Sequence, residues 1–166
     1  FNAKFDLKIL NYGFYPKGGG TALFKSHRLK KLKPISIVSR GKLIEVKIFS
    51  HSSNLPSSVA KAQAVAAKRG LESLGVDFVE SIEATANPNS IGSAIDLVAC
   101  FDNGVCFGAN ALGERGKRAE IVGKEAGQRL LAQLNSFGAV DLHLADQLLP
   151  FMALAKGESR IVCAKE

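Results

Sequence analysis

The chain is poor in the residues that staple small folds or hold metals. Three cysteines, Cys100, Cys106 and Cys163, occur without a Cys-x-x-Cys spacing, which supports neither a disulfide framework nor a zinc site. Three scattered histidines, His27, His51 and His143, give no sequence support for a metal cluster. No apolar run reaches the roughly 20 residues needed to cross a bilayer, and no signal-peptide pattern follows Phe1-Asn-Ala-Lys. The first residue is not Met, so a cut or processed N-terminus is expected. No fixed-period repeat and no low-complexity tract is present. Together these features lead to a cytoplasmic protein as the expectation, with the nucleoplasm open if the source is eukaryotic.

What is present is a globular composition: 166 residues, 46% hydrophobic, mean hydropathy +0.09. The net charge of +7 is uneven. Residues 1–50 hold 11 Lys and Arg against 2 acids, whereas residues 51–166 hold 11 against 13. A basic first third suggests a polyanionic partner, with a basic solvated face as the plainer alternative.

Patterning gives the elements. Phe5, Leu7 and Ile9 alternate with Lys4, Asp6 and Lys8, which predicts a half-buried strand over 4–11. Gly13-Phe-Tyr-Pro-Lys-Gly-Gly-Gly20 is a loop, and Thr21-Ala-Leu-Phe-Lys25 returns as an antiparallel partner. Its consecutive glycines permit positive φ and close backbone approach, and their N–H groups can cradle an anion, although such a loop is also simply a turn. It is not a Walker A motif, since no Gly-Lys-Ser/Thr follows. An extended segment over 35–38, a strand over 43–49 and a loop over 51–58 come next. The loop's serines are placed to cap a helix over 59–74, ending at Gly75. A weaker strand over 78–84 and a loop over 85–90 precede strands 95–101 and 105–110, which flank Asp102-Asn-Gly104, a tight-hairpin signal. A charged turn over 112–118 leads to a helix over 119–135 with Ile121, Val122, Ala126, Leu130 and Leu134 inward. The final strand begins near Ser159. The order predicts an α+β or α/β fold, with 40–138 as an inserted unit and the ends, 1–39 and 139–166, belonging together.

The stretch Asp141-Leu-His-Leu-Ala-Asp-Gln-Leu-Leu-Pro150 carries the chemistry. As a helix N-capped by Asp141, it places Leu144, Leu148, Phe151 and Ala155 on one stripe. His143, Asp146, Gln147 and Pro150 fall on another face. An imidazole, a carboxylate and a carboxamide then stand together, a pattern that a solvated polar face also satisfies. Pro150 should kink or interrupt the helix.

Three separated motifs, Gly13-Phe-Tyr-Pro-Lys-Gly-Gly-Gly20, Leu112-Gly-Glu-Arg-Gly-Lys-Arg-Ala119 and His143-Leu-Ala-Asp-Gln-Leu-Leu-Pro-Phe-Met-Ala-Leu-Ala155, resemble the RNA 3′-terminal phosphate cyclase family in the same order. The resemblance implies a large domain of repeated β-α units, similar to the C-terminal domain of a translation initiation factor, with a smaller inserted α/β domain over about 40–138. It implies ATP and a divalent cation (Mg or Mn), and conversion of an RNA 3′-phosphate into a 2′,3′-cyclic phosphate through enzyme–AMP and RNA–adenylate intermediates. His143 matches an aromatic position beside the adenine, and Asp146 and Gln147 match positions near the nucleotide. The family's nucleophilic histidine lies about twenty residues past the Asp-Gln pair, so it is expected beyond Glu166. The Gln- and Arg-bearing N-terminal region of the family has no counterpart here. An internal fragment, inactive alone and able to self-associate, is therefore the expectation. Two other readings stand beside it: the family's non-catalytic branch in ribosome assembly, and a generic basic RNA-binding α/β module.

Overall fold

The computed structural model describes residues 1–87 and 90–163. Pro88 and Asn89 of the expected 85–90 loop, and Ala164 of the expected last strand, lie outside the described residues. The elements are β1 (Phe5–Asn11), β2 (Thr21–Ser26), β3 (Ser36–Ile37), β4 (Leu43–Ser53), α1 (Ser57–Leu71), β5 (Asp77–Thr85), β6 (Gly92–Phe101), β7 (Cys106–Leu112), α2 (Ala119–Leu134), α3 (Leu142–Leu154) and β8 (Arg160–Ile161). The fold is mixed α/β, as expected.

The centre is a four-stranded sheet in the order β5-β4-β6-β7. β4 is parallel to β5 and antiparallel to β6, and β6 is antiparallel to β7. The period-2 alternation of β4 and β6 sends Val46, Ile48, Ile95, Leu97, Ala99 and Phe101 to one face. There they meet α1 and α2, and with Phe107, Leu71, Val122 and Leu130 they form the core. Each such large side chain, fully buried, contributes on the order of 1.5–3 kcal/mol. The two helices approach closely where glycines of α2 meet α1, Gly123 against Gln63 and Ala66 and Gly127 against Ala67 and Leu71.

A polar network crosses this layer. Gln63, fully buried, accepts from Ser50 Oγ at 3.0 Å and donates through Nε2 to Ser93 Oγ at 2.8 Å. A buried carboxamide is tolerated because both its ends are satisfied.

Several sequence expectations are corrected. β4 continues through His51, Ser52 and Ser53, where a loop was expected, because these residues pair on both sides, with β5 and with β6. α1 starts at Ser57 after Pro56 and has no side-chain cap; the serines sit inside the first turn rather than at the N-cap. Gly75 does close the segment, in a left-handed conformation after a 3-10 turn over Glu72–Leu74. Ile121 is half exposed, since the buried stripe of α2 runs through Val122, Gly123, Ala126, Gly127 and Leu130, leaving Ile121 on the flank. α3 is not interrupted at Pro150 and runs on to Leu154. The proline leaves only the Asp146 carbonyl without its usual intrahelical donor.

The strand expected to be half buried, β1, is exposed along its whole length, as is β2. The two form the expected antiparallel hairpin, but they pair only with each other and no second layer covers either face among the described residues. β3, before the central sheet in sequence, pairs in parallel with β8, after it.

Candidate functional site

The edge strand β7 and the two following helices define a polar groove. Residues of a non-hydrogen-bonded pair in an antiparallel ladder turn their backbone groups outward. On β7 these outward groups include those of Gly108 and Asn110, which side chains of α2 and of the α3 N-cap meet. Gln133 Nε2 donates to Gly108 O at 2.8 Å, Arg129 Nη1 to Asn110 O at 2.7 Å, and Gly108 N to Asp141 Oδ2 at 3.4 Å. Asp141 is the expected N-cap of α3, its Oδ1 accepting from Leu144 N at 2.7 Å.

The resulting groove encloses about 740 Å³ and is lined by Asp96, Asn110, Arg129, Gln133, Asp141, His143 and Gln147 together with small and apolar residues. His143 and Gln147, one helical turn apart on α3, both reach it. Asp146 is exposed on the same helix but does not line it. None of these three side chains engages another group among the described residues. They stand open to solvent, while Arg129 is held by the β7 backbone. The groove offers a guanidinium, a carboxamide, an imidazole and a carboxylate to one polar ligand. Arg129 and Asp96 were not singled out in the sequence, since neither lies near the α3 motif along the chain; only the sheet register brings them there.

The two other motifs meet elsewhere. Gly13-Phe-Tyr-Pro-Lys-Gly-Gly-Gly20 folds back on itself with Gly18 N bonded to Phe14 O at 2.8 Å, and Gly18 and Gly19 have φ of +67° and +78°. Gly13 packs so closely that a Cβ there would lie 2.2 Å from Gly20 N. Thus the glycines serve backbone geometry, as their run suggested. Phe14 rests on Gly92, and its N–H donates to Ser90 Oγ at 2.5 Å. Phe14 and Tyr15, with Glu114, Arg115 and Lys117 of the second motif, line a cleft of about 880 Å³. Lys117 is bound to Glu125 at 2.6 Å and Glu114 at 3.5 Å, whereas Arg115 is exposed.

On the sheet face opposite the helices, Tyr12 stacks on the buried His51 with ring centroids 3.9 Å apart and planes at 14°. Burial pushes the His51 pKa below its ordinary value, against the pull of Asp96 and Glu83. Burial likewise raises the Asp96 carboxyl, offset in part by His51. The Tyr12 hydroxyl is raised by burial, then by the charges of Glu83 and Asp96 and a hydrogen bond to Glu83. Among the described residues no group of three His, Cys, Asp or Glu side chains is placed to hold a metal ion, and no helix is long and apolar enough to cross a membrane.

Fold and groove thus describe a mixed α/β protein that gathers polar side chains beside a sheet edge. Comparison with known proteins places it further. Residues 38–135 match the family model for the RNA 3′-terminal phosphate cyclase (RTC) insert domain. The whole chain is 40% identical to an RNA 3′-terminal phosphate cyclase of Pyrobaculum aerophilum, of which it covers 48%. Proteins of the same name from Staphylothermus marinus and Methanopyrus kandleri are 44% and 42% identical, over 96% and 94% of this chain and 46% of each relative. The chain belongs to the RNA 3′-terminal phosphate cyclase family. It spans about half the length of the curated relatives it matches.

Proposed function

We propose that this chain supplies the adenine side of the nucleotide site in an ATP-dependent RNA 3′-terminal phosphate cyclase of the cytoplasm. The observation that carries the reading is the groove beside β7, which joins His143 and Gln147 of the third motif to Arg129. An exposed imidazole can stack on a purine, a carboxamide can bond its edge, and a guanidinium suits phosphate oxygens. Asp146, exposed one turn along the same helix, is assigned to the ribose side of that nucleotide.

In the proposed reaction an enzyme histidine attacks the α-phosphorus of ATP and expels pyrophosphate. AMP then passes to the RNA 3′-phosphate, forming an anhydride. The adjacent 2′-hydroxyl attacks that phosphorus, loses its proton and expels AMP, leaving the 2′,3′-cyclic phosphate. The logic is that of covalent catalysis, since a phosphate monoester becomes a usable electrophile only once AMP is installed as leaving group. None of His27, His51 and His143 is assigned as the attacking group. His51 is buried beneath Tyr12, His27 sits at the end of the exposed hairpin beside Asp6, and His143 faces the adenine. The divalent cation of the expected reaction finds no three-ligand cluster among the described residues, and no step is routed through it. The basic first third, RNA-facing in this reading, predicts salt-dependent binding.

The test is intact mass after incubation with ATP and magnesium, on this chain and on a chain extended to the length of its relatives. The expected result is an AMP-sized gain on the extended chain alone, reduced in its Asp146→Ala, Gln147→Ala and Arg129→Ala variants. A gain on residues 1–166 would place the nucleophile within them, with His143 the first suspect, and overturn the assignment. Normal labelling of all three variants would remove the groove from the nucleotide site.

A further inference from the structure

Cys100 and Cys106 face each other across the β6–β7 hairpin. They are directly opposed in the register, and their sulfurs lie 3.7 Å apart. The ladder fixes which kind of pair they form. Ser93 O accepts from Gly113 N at 2.8 Å at one end, and Val105 O accepts from Phe101 N at 2.9 Å at the other. Hydrogen-bonded and non-hydrogen-bonded pairs alternate along an antiparallel ladder, and counting from either end makes Cys100–Cys106 a non-hydrogen-bonded pair. In such pairs the Cα atoms stand about 4.5 Å apart with side chains close, which lies within the roughly 4.4–6.8 Å that a disulfide spans. Both sulfurs are on the sheet face away from the helices. Cys106 is exposed, and Cys100 is half buried beside Glu45 and Lys47.

We propose that Cys100 and Cys106 are a reversible dithiol site, closed to a cross-strand disulfide by small-molecule disulfides of the glutathione type. The exposed Cys106 enters first. Its thiolate attacks one sulfur of the oxidant, forming a mixed disulfide and releasing one thiolate. The Cys100 thiolate then attacks the Cys106 sulfur and releases the second. The two protein thiols lose two electrons and their protons, and the oxidant is reduced to two thiols. In the dithiol, burial and the neighbouring Cys106 raise the Cys100 pKa to about 11, which leaves the exposed Cys106 as the thiol that reacts first. A spacing of five intervening residues carries no disulfide or metal signature in sequence; the Asn-Gly turn between them brings the thiols together.

The test is incubation of the folded chain with oxidised glutathione, followed by alkylation and digestion. No Lys or Arg occurs between Arg69 and Arg115, so one tryptic peptide, residues 70–115, holds both cysteines. The expected result is that peptide without alkyl groups and about 2 Da below its dithiol mass, reversed by dithiothreitol and retained in Cys163→Ser. Cys100→Ser should instead trap a glutathione adduct on Cys106. A stable adduct on the unmutated chain, a disulfide to Cys163 or a covalent dimer would overturn the proposal. So would a peptide that keeps both free thiols when circular dichroism shows the chain folded.

Discussion

Substitution of Gly123 by Ala tests the helix packing that supports the groove. In an isolated helix the change gains about 1 kcal/mol. Here the added Cβ would lie 2.1 Å from the backbone O of Gln63 and 3.1 Å from the Ala66 Cβ. The first neighbour belongs to the main chain of α1, so α1 and α2 must separate by an ångström or more. Overpacking of this kind costs typically about 1–3 kcal/mol, which cancels the propensity gain and leaves a net loss of up to about 2 kcal/mol. Gly127, one turn along the same face and equally buried, is the control. Its added Cβ would sit 3.6 Å from Ala67 O, an ordinary contact, so Gly127→Ala keeps the gain of about 1 kcal/mol. The two variants should differ by about 1–3 kcal/mol, and at roughly 2–4 °C per kcal/mol for a domain of this size their melting points separate clearly. Thermal and urea unfolding of both would decide it. A Gly123→Ala protein as stable as Gly127→Ala would refute the close approach of the helices at Gln63.

Three further outcomes follow from other parts of the chain. Asp141→Ala removes the N-cap of α3 and should cost about 0.5–2 kcal/mol, loosening the turn that carries His143; hydrogen exchange at Leu144 is the direct readout, and unchanged protection there would contradict the capping role. The folded-state pKa of His51 is lowered, so the unfolded chain binds the extra proton first. Stability from this group is present above the unfolded value of about 6.5 and is lost as pH falls through it, whereas Asp96, raised by burial, shifts stability in the opposite sense at lower pH. Unfolding midpoints measured between pH 8 and 5 should therefore slope downward and lose that slope in His51→Gln. Finally, Phe5, Leu7, Ile9 and Phe24 form one exposed apolar face of the β1–β2 hairpin, with Phe5 and Phe24 rings 5.7 Å apart. Concentration-dependent self-association in sedimentation, weakened by Phe24→Glu, is expected; a monodisperse monomer at all concentrations would count against it.

Much of the fold was legible in the sequence, because the signals were local. The Asn103-Gly104 turn, the alternation of β4 and β6, the glycine stop at Gly75 and the Asp141 cap each act within a few residues. Expectations missed where a partner elsewhere in the chain decides. His51, Ser52 and Ser53 read as loop residues, yet pairing on both sides holds them in a strand. Ile121 reads as core, yet two glycines set the face that α2 turns to α1. The alternation of β1 was read correctly as strand, but alternation reports which face is apolar and not whether anything covers it. The candidate site was legible only as one helix face. His143 and Gln147 were visible by spacing, but the groove's other wall comes from residues 96, 110 and 129, and no local pattern announces a position reached through sheet register.

The edge of the sheet explains why the groove stands where it does. An unpaired edge strand exposes donors and acceptors that invite another chain. On β7 those groups are met by Arg129 and Gln133 of α2 and by Asp141 at the start of α3. Asp141 holds the first turn of α3 through Leu144 N and the edge through Gly108 N, so the interaction that blunts the edge also sets where His143 stands. Arg129 does the same from α2, its guanidinium placed by the Asn110 carbonyl at the groove wall. Substituting either residue should therefore disturb edge protection and groove together, while Asp146→Ala, on a side chain that touches neither, should leave the edge intact. Amide exchange along β7, compared across Arg129→Ala, Asp141→Ala and Asp146→Ala, separates the two roles. Faster exchange at Gly108 in Asp141→Ala, whose carboxylate accepts from that N–H, and not in Asp146→Ala is the expected pattern, with any change in Arg129→Ala, which frees only the Asn110 carbonyl, smaller; equal exchange in all three would show that the Gly108 amide is protected by other means.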